Sequence, residues 1–518
     1  MMRFSIWIAV SLCAASQAAV EPPLLTPKPG PAPRINAPQV YGARPQRPFL
    51  YRIPCTGKRP IAFAAEGLPA GLKLDRASGI ISGRPPAKPG RYTVVLRARN
   101  ASGSARRAFT LVIGDRLALT PPMGWNHWYT HYNRITDKLM RQAADVMIES
   151  GMADFGYEYV NIDDCWMVMP GSSDPELGGE PRTPAGGIRP NARFPDMAGL
   201  AAYIHSKGLK AGLYTSPGPL TCAKFEGSYG HEEADAKQFA AWGFDFLKYD
   251  WCSYTKVAGG KELEHLMKPY ALMGGILPKL ERDIVLNLCQ YGMGDVWNWG
   301  GEVGGHSWRT TGDLGLAKDT RLPGFYSIAF LNAQHAANAG PGRWNDPDYI
   351  LIGTFGKARG MGQPQKTTLT ADEQYSYMSL WAMMASPLFF SGDMGKLDEF
   401  TLNVLCNAEV IEVDQDPLGR QANIVRRTED EYVLARPLSD GSMAVGLFNL
   451  GEESRRMSIE WSALGISGPR RVRDLWRQRD MGSANGRFEA DVARHGVFLF
   501  RLRPPAARPR TRSAPVIS

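Results

Sequence analysis

The chain reads as an α/β protein: a (β/α)8 TIM barrel, a C-terminal antiparallel β-sandwich, and a smaller β-sandwich in front. Three changes of texture predict this. Between residues 116 and 417 short apolar strands alternate with helical stretches, the arithmetic of a barrel. Between 35 and 115 the pattern is strands and turns only. After Gln415-Asp416-Pro417-Leu418-Gly419 the helices stop and strands return, to about Arg503. Hydrophobic residues at 44% and charged ones at 21% suit a soluble globular chain, and 518 residues are enough for several cores.

The start has the layout of a signal peptide over residues 1–18: Met1-Met2-Arg3, an apolar run from Phe4 to Cys13, then small residues up to Ala18. The run is too short to span a bilayer, as is every later one, so the expectation is a secreted or periplasmic protein without a transmembrane segment. Residues 19–34 read as a Pro-rich linker. Phe49-Leu50-Tyr51-Arg52-Ile53, Tyr92-Thr93-Val94-Val95-Leu96 and Phe109-Thr110-Leu111-Val112-Ile113 are strands parted by Gly/Pro turns. The run Gly67 to Asp75 followed by Gly79-Ile80-Ile81-Ser82-Gly83 resembles the Ig-like modules appended to bacterial exported enzymes.

Barrel strands are expected at Met123-Gly124-Trp125, Tyr159 to Ile162, Ala211 to Tyr214, Phe246-Leu247, Ile284 to Asn287, Ser307-Trp308-Arg309, Trp344-Asn345 and Leu388-Phe389-Phe390. Helices such as Leu139 to Glu149 and Glu232 to Trp242 lie between them. Where strands finish, polar residues cluster: Asp163-Asp164, Tyr214, Asp250, Cys289, Arg309 to Asp313, Asp346 and Asp348. A barrel carries its active site on that rim. In Phe246-Leu247-Lys248-Tyr249-Asp250-Trp251-Cys252, Lys248 and Asp250 share a strand face, so the ammonium is expected to keep the carboxylate ionised. A lone Lys-x-Asp is usually structural; a whole rim of acids is not.

Charge is unevenly spread. Residues 21–115 hold 16 Lys/Arg against 4 Asp/Glu, a balance of +12, while the full chain is +9 and residues 116–500 sum to −9. The tail 504–518 is basic, Pro-rich and expected to be disordered. Without a reading motif the basic residues do not point to nucleic acid. They are expected to attract the acidic body weakly, and either to keep a solvated spacer soluble or to hold the chain at an anionic envelope or polysaccharide. No metal cluster, phosphate-cradling loop or dinucleotide motif is present, and His127 and His231 stand alone, so no cofactor and no metal is expected. Of the cysteines that follow the signal peptide (Cys55, Cys165, Cys222, Cys252, Cys289, Cys406), some should pair in an exported protein, with the connectivity open.

Residues 117–503 resemble glycoside hydrolase family 27, the α-galactosidases and their relatives. The matching stretches are Pro122 to Trp128, Ile162 to Trp166, Thr221-Cys222-Ala223, Gly230 to Lys237, Lys248-Tyr249-Asp250, Trp308 to Asp313, Trp344 to Asp348 and Asn407 to Gln421. The resemblance implies a retaining exo-glycosidase with Asp250 as nucleophile and Asp313 as acid/base, acting on terminal α-D-galactosyl groups of an oligo- or polysaccharide. It assigns Asp163 and Asp164 to the sugar's 4- and 6-hydroxyls, where a helix cap is the structural alternative. Trp128 would form the apolar wall, with Tyr214, Lys248, Arg309 and Asp348 completing the pocket. Cys289 is either pocket lining or a small buried residue. Gln290 and Tyr291 would leave little room at the 2-position, favouring galactose over N-acetylgalactosamine. It further implies a Cys222–Cys252 disulfide between the rims after the third and fourth strands. Relatives often pair the cysteine matching Cys165 with one where this chain has Asn133, which leaves Cys165 a free thiol. The alternatives are an α-N-acetylgalactosaminidase, a β-L-arabinopyranosidase (disfavoured by the intact Asp163-Asp164 pair) and a non-catalytic carbohydrate-binding relative (disfavoured by Asp250 and Asp313).

Overall fold

A computed structural model describes residues 22–315, 321–356 and 363–505. The expected signal peptide and all but the first two residues of the expected disordered tail lie outside them. Eight parallel strands follow one another in chain order: β1 (Met123–Asn126), β2 (Tyr159–Asn161), β3 (Lys210–Thr215), β4 (Phe246–Asp250), β5 (Val285–Cys289), β6 (Ser307–Arg309), β7 (Trp344–Asp346) and β8 (Leu388–Phe390). β1 pairs with β8, and Ile350 bridges to Phe390 at the remaining seam, so the sheet curls into the expected barrel. Its interior is filled by side chains. At Gly212 of β3 a Cβ would lie 1.8 Å from the Asn161 amide oxygen, and only glycine leaves that amide its place.

The helices pack outside by amphipathic spacing. In Asp137–Glu149 the residues Met140, Ala143, Ala144 and Met147 are buried, and Thr136 caps the start by accepting from the Leu139 N–H. Ala371–Met383 is buried on nearly every side, because it lies between the barrel and the C-terminal β-sandwich; a Thr370/Glu373 capping box begins it. The C-terminal domain stacks a six-stranded sheet, including Glu431–Pro437, Met443–Asn449 and Val497–Arg503, against a two-stranded antiparallel sheet of Arg455–Glu460 and Arg487–Val492. Val433, Leu447, Met457, Trp461 and Phe500 fill the space between.

The N-terminal module is a sandwich of a four-stranded and a three-stranded sheet closed over Tyr51, Phe63, Ile81, Leu96 and Phe109. It sits at the end of the barrel where strands begin. Tyr41 donates to Glu158, next to the start of β2, at 3.0 Å, and the Arg44 N–H donates to Asp283, just before β5, at 2.9 Å. The expected weak attraction between basic module and acidic body is in fact a set of defined pairs: Arg47–Glu281, Arg59–Asp154 and Arg107–Glu412 at 2.5, 2.5 and 3.1 Å. The Pro-rich segment expected to be a linker is packed down as well. Thr26 exchanges hydrogen bonds with Asn403 and receives one from Asn407. Among the described residues no helix is long and apolar enough to cross a membrane.

Candidate active site

The rim residues converge because parallel strands in register finish together. Tyr214 lies opposite Lys248, Asp250 opposite Cys289, and Arg309 opposite Asp346. Four buried clusters result.

Around Asp163, oxygen Oδ2 accepts from Lys248 Nζ, Asn126 and Tyr349, each at 2.9 Å. Burial opposes this carboxylate's charge, yet the Lys248 ammonium, His127 and the hydrogen bonds it accepts together outweigh burial and hold Asp163 below the usual carboxylate range. This adds a partner to the expected role of Lys248. Residues two apart on a strand stand about 6.6 Å apart, so the shared face brings the ammonium near Asp250 without contact; Asp163 after β2 takes the ion pair. Lys248 still lowers the Asp250 pKa through space.

Asp164 is fully buried and accepts the N–H groups of Cys165 and Ala223 at 2.7 and 2.8 Å. Burial nevertheless pushes it up to about 7. No helix starts at the pair, which removes the capping alternative.

Asp250 ends β4. Its Oδ1 accepts from the Tyr291 hydroxyl at 2.6 Å and its Oδ2 from Tyr214 at 3.2 Å. Burial raises its pKa to about 6; Lys248 and the Tyr291 hydrogen bond pull it down, while Asp313 pushes it up. Tyr291, expected as a wall at the 2-position, therefore also holds the carboxylate. The Cys222–Cys252 disulfide is present and touches both tyrosine hydroxyls, Tyr291 through Cys222 (3.5 Å) and Tyr214 through Cys252 (3.1 Å).

Arg309 pairs with Asp348 at 3.0 Å and with Asp313 at 3.4 Å. Asp348 is wholly enclosed, also accepting from Tyr129 and the Leu314 N–H, whereas the Asp313 side chain is 54% exposed and free to approach a bound molecule. Cys289 is buried at the end of β5, 3.8 Å from an Arg309 nitrogen, and Trp128 is buried beside Tyr132. Cys55, Cys165, Cys289 and Cys406 are free thiols. Where a second bridge to Cys165 was lacking, Arg193 grips the Asn133 carbonyl instead.

Sequence reasoning missed Asn126, Tyr129 and Tyr349, which hold Asp163 and Asp348. Their signal was adjacency alone, Asn126 closing β1 and Tyr349 following Asp348.

Comparison with known proteins gives three matched regions: residues 120–416 to the family described as alpha galactosidase A, 428–502 to the alpha galactosidase C-terminal beta sandwich domain, and 32–114 to an Ig domain family. Alpha-galactosidase 2 of Arabidopsis thaliana is 36% identical over 395 residues, 76% of this chain and 91% of that protein. An alpha-galactosidase of Cyamopsis tetragonoloba is 37% identical over 393 residues, 75% of this chain and 87% of that one. Among solved structures, a candidate alpha-galactosidase/melibiase from Bacteroides fragilis aligns with TM-score 0.84 and 38% identity, covering 93% of this chain and 99% of its own.

Proposed function

The chain belongs to the α-galactosidase family, and from that premise we propose that it hydrolyses terminal α-D-galactosides with retention of configuration, Asp250 attacking the anomeric carbon and Asp313 protonating the departing oxygen. One observation supports the roles best: Asp250 is held by two neutral hydroxyls, whereas Asp163 and Asp348 are each neutralised by a buried cation. A nucleophile must keep a reactive oxygen, and a strong ion pair would quench it. Asp313, exposed at the tip of its loop yet close enough to oppose Asp250's ionisation, suits proton delivery.

In the sugar pocket Asp163, Asp164 and Lys248 would bind the 4- and 6-hydroxyls, Trp128 the apolar face, and Arg309 and Asp348 the side nearest the bond being cleaved. A pentopyranoside lacks the 6-hydroxymethyl group and would leave part of the Asp163-Asp164 pair unmatched, and Tyr291 leaves little room for an acetamide. The test is a panel of nitrophenyl α- and β-glycosides. Turnover is expected on α-galactoside, far above α-N-acetylgalactosaminide and β-L-arabinopyranoside; a different preferred glycoside sinks the reading.

We also propose that the N-terminal module holds acidic polysaccharide on one sheet face. Arg34, Arg44, Arg47, Arg59 and Arg107 are occupied by acids of the body. Arg91, Arg97, Arg99 and Arg106 instead stand exposed on the paired strands Gly90–Asn100 and Gly103–Ile113, where Arg97 and Arg106 lie directly opposite. Like charges so placed weaken a sheet; Glu66 hydrogen-bonds Arg97 and acts on Arg106 only through space. Replacing Arg91, Arg99 and Arg106 together by serine should cut retention on a polygalacturonate column at low salt while nitrophenyl galactoside kinetics stay unchanged, and the difference should vanish as salt rises. Unchanged low-salt retention overturns the proposal.

A further inference from the structure

We infer that Tyr291 is a positioning residue for the nucleophile: its hydroxyl clamps one oxygen of Asp250, keeps the carboxylate ionised at working pH and leaves the other oxygen for attack. The inference deepens the role proposed for Asp250 and rests on it.

Three observations carry it. The first is contact. The Tyr291 hydroxyl donates to Asp250 Oδ1 at 2.6 Å, the short range of hydrogen bonds to an ionised acceptor, while Tyr214 reaches Oδ2 at 3.2 Å. The two oxygens are held unequally, so the loosely held Oδ2 is the better nucleophile.

The second is backbone. Tyr291 has φ 65°, a left-handed conformation that is costly for a bulky side chain. The next residue, Gly292, is left-handed too, and a Cβ there would meet the Thr310 carbonyl oxygen at 2.4 Å. This turn after β5 aims the ring back over the strand ends; a side chain needed only as a wall gives no reason for that backbone.

The third is the company Asp250 keeps. Lys248 on its own strand favours its charge, while Asp163 after β2 and Asp313 after β6 oppose it. Tyr214 on β3, Cys289 on β5 and Tyr270 on the Leu263–Ile276 helix face it as neutral groups. With Lys248 paired to Asp163, the strongest direct contact that favours the anion is the Tyr291 hydroxyl.

The sign follows. Asp250 must be ionised to attack, so activity is lost as pH falls through its pKa, near 6. Tyr291→Phe removes the donor and keeps the ring. The acid limb of kcat/KM should move up by about one to two pH units, from the size of a hydrogen bond to a charged group. The plateau rate should fall by no more than about tenfold, because the freed anion is the stronger nucleophile. Tyr214→Phe, losing the longer contact, should move the limb less. Placing 3-fluorotyrosine at 291 keeps the fold and strengthens the donor, so the limb should move down; this serves if the Phe variant misfolds. A limb unmoved in both Tyr291 variants, whatever the change in rate, overturns the inference and leaves Tyr291 a wall. Absence of α-galactosidase activity in the unaltered enzyme would instead sink the proposed function.

Discussion

Asp250→Asn is expected to abolish turnover without loss of fold. No glycosyl ester can form on the amide, so kcat should fall by at least about 10³-fold, the scale on which a missing nucleophile is felt. Stability should move the other way. Asp250 is fully buried and its folded pKa, about 6, lies above the ordinary 3.8. A carboxyl raised on folding penalises the native state once it must be ionised. The penalty is absent below the unfolded pKa, grows as pH rises between the two values, and is complete above the folded one. At pH 7 it amounts to about 3 kcal/mol at most, and the neutral amide escapes it. The variant should therefore melt higher than the unaltered enzyme at pH 7, with the gap closing toward pH 4. Trapping the unaltered enzyme with a fluorinated galactoside, followed by peptide mass spectrometry, should mark Asp250; a label on another carboxylate disproves the assignment.

Asp313→Ala is expected to separate substrates by their leaving groups. A galactosyl oligosaccharide departs as a sugar alkoxide and needs a proton, so kcat/KM should drop by about 10²–10⁴-fold, the usual worth of general acid catalysis. Nitrophenolate leaves unaided, and kcat/KM on the nitrophenyl galactoside should change far less. Because the side chain is half exposed, the melting temperature should hardly move. Equal losses on both substrates would rule out proton delivery and leave Asp313 a partner of Arg309.

The position of Asp250 and its neighbours on the rim was legible in the sequence, for a local reason. Apolar alternation marks a strand, a carboxylate at its end is conspicuous, and parallel strands of a barrel must deliver their ends to one rim. Asp163, Asp164, Asp250, Arg309 and Asp348 were found on that logic, with resemblance supplying roles and the Cys222–Cys252 pair. What stayed hidden was partner choice. Lys248 favours the charge of Asp250, two positions away, as its strand face implies, yet its ion pair is with Asp163, 85 positions away. Tyr349, which shares Asp163 with it, is 186 positions from that acid. Neither distance has a signature in one chain read linearly.

The sequence by itself determined which segments are strands, which end of each is polar, and where the charge lies, because these depend on side chains within a few residues of one another. The tertiary structure decided which carboxylate meets a cation and which meets hydroxyls. It also decided that the basic module docks at the barrel's far end, with some arginines consumed and others left facing solvent. Those outcomes depend on the register of neighbouring strands and on closure of the barrel. A one-residue slip would turn each side chain to the opposite face, and only the packed core forbids it.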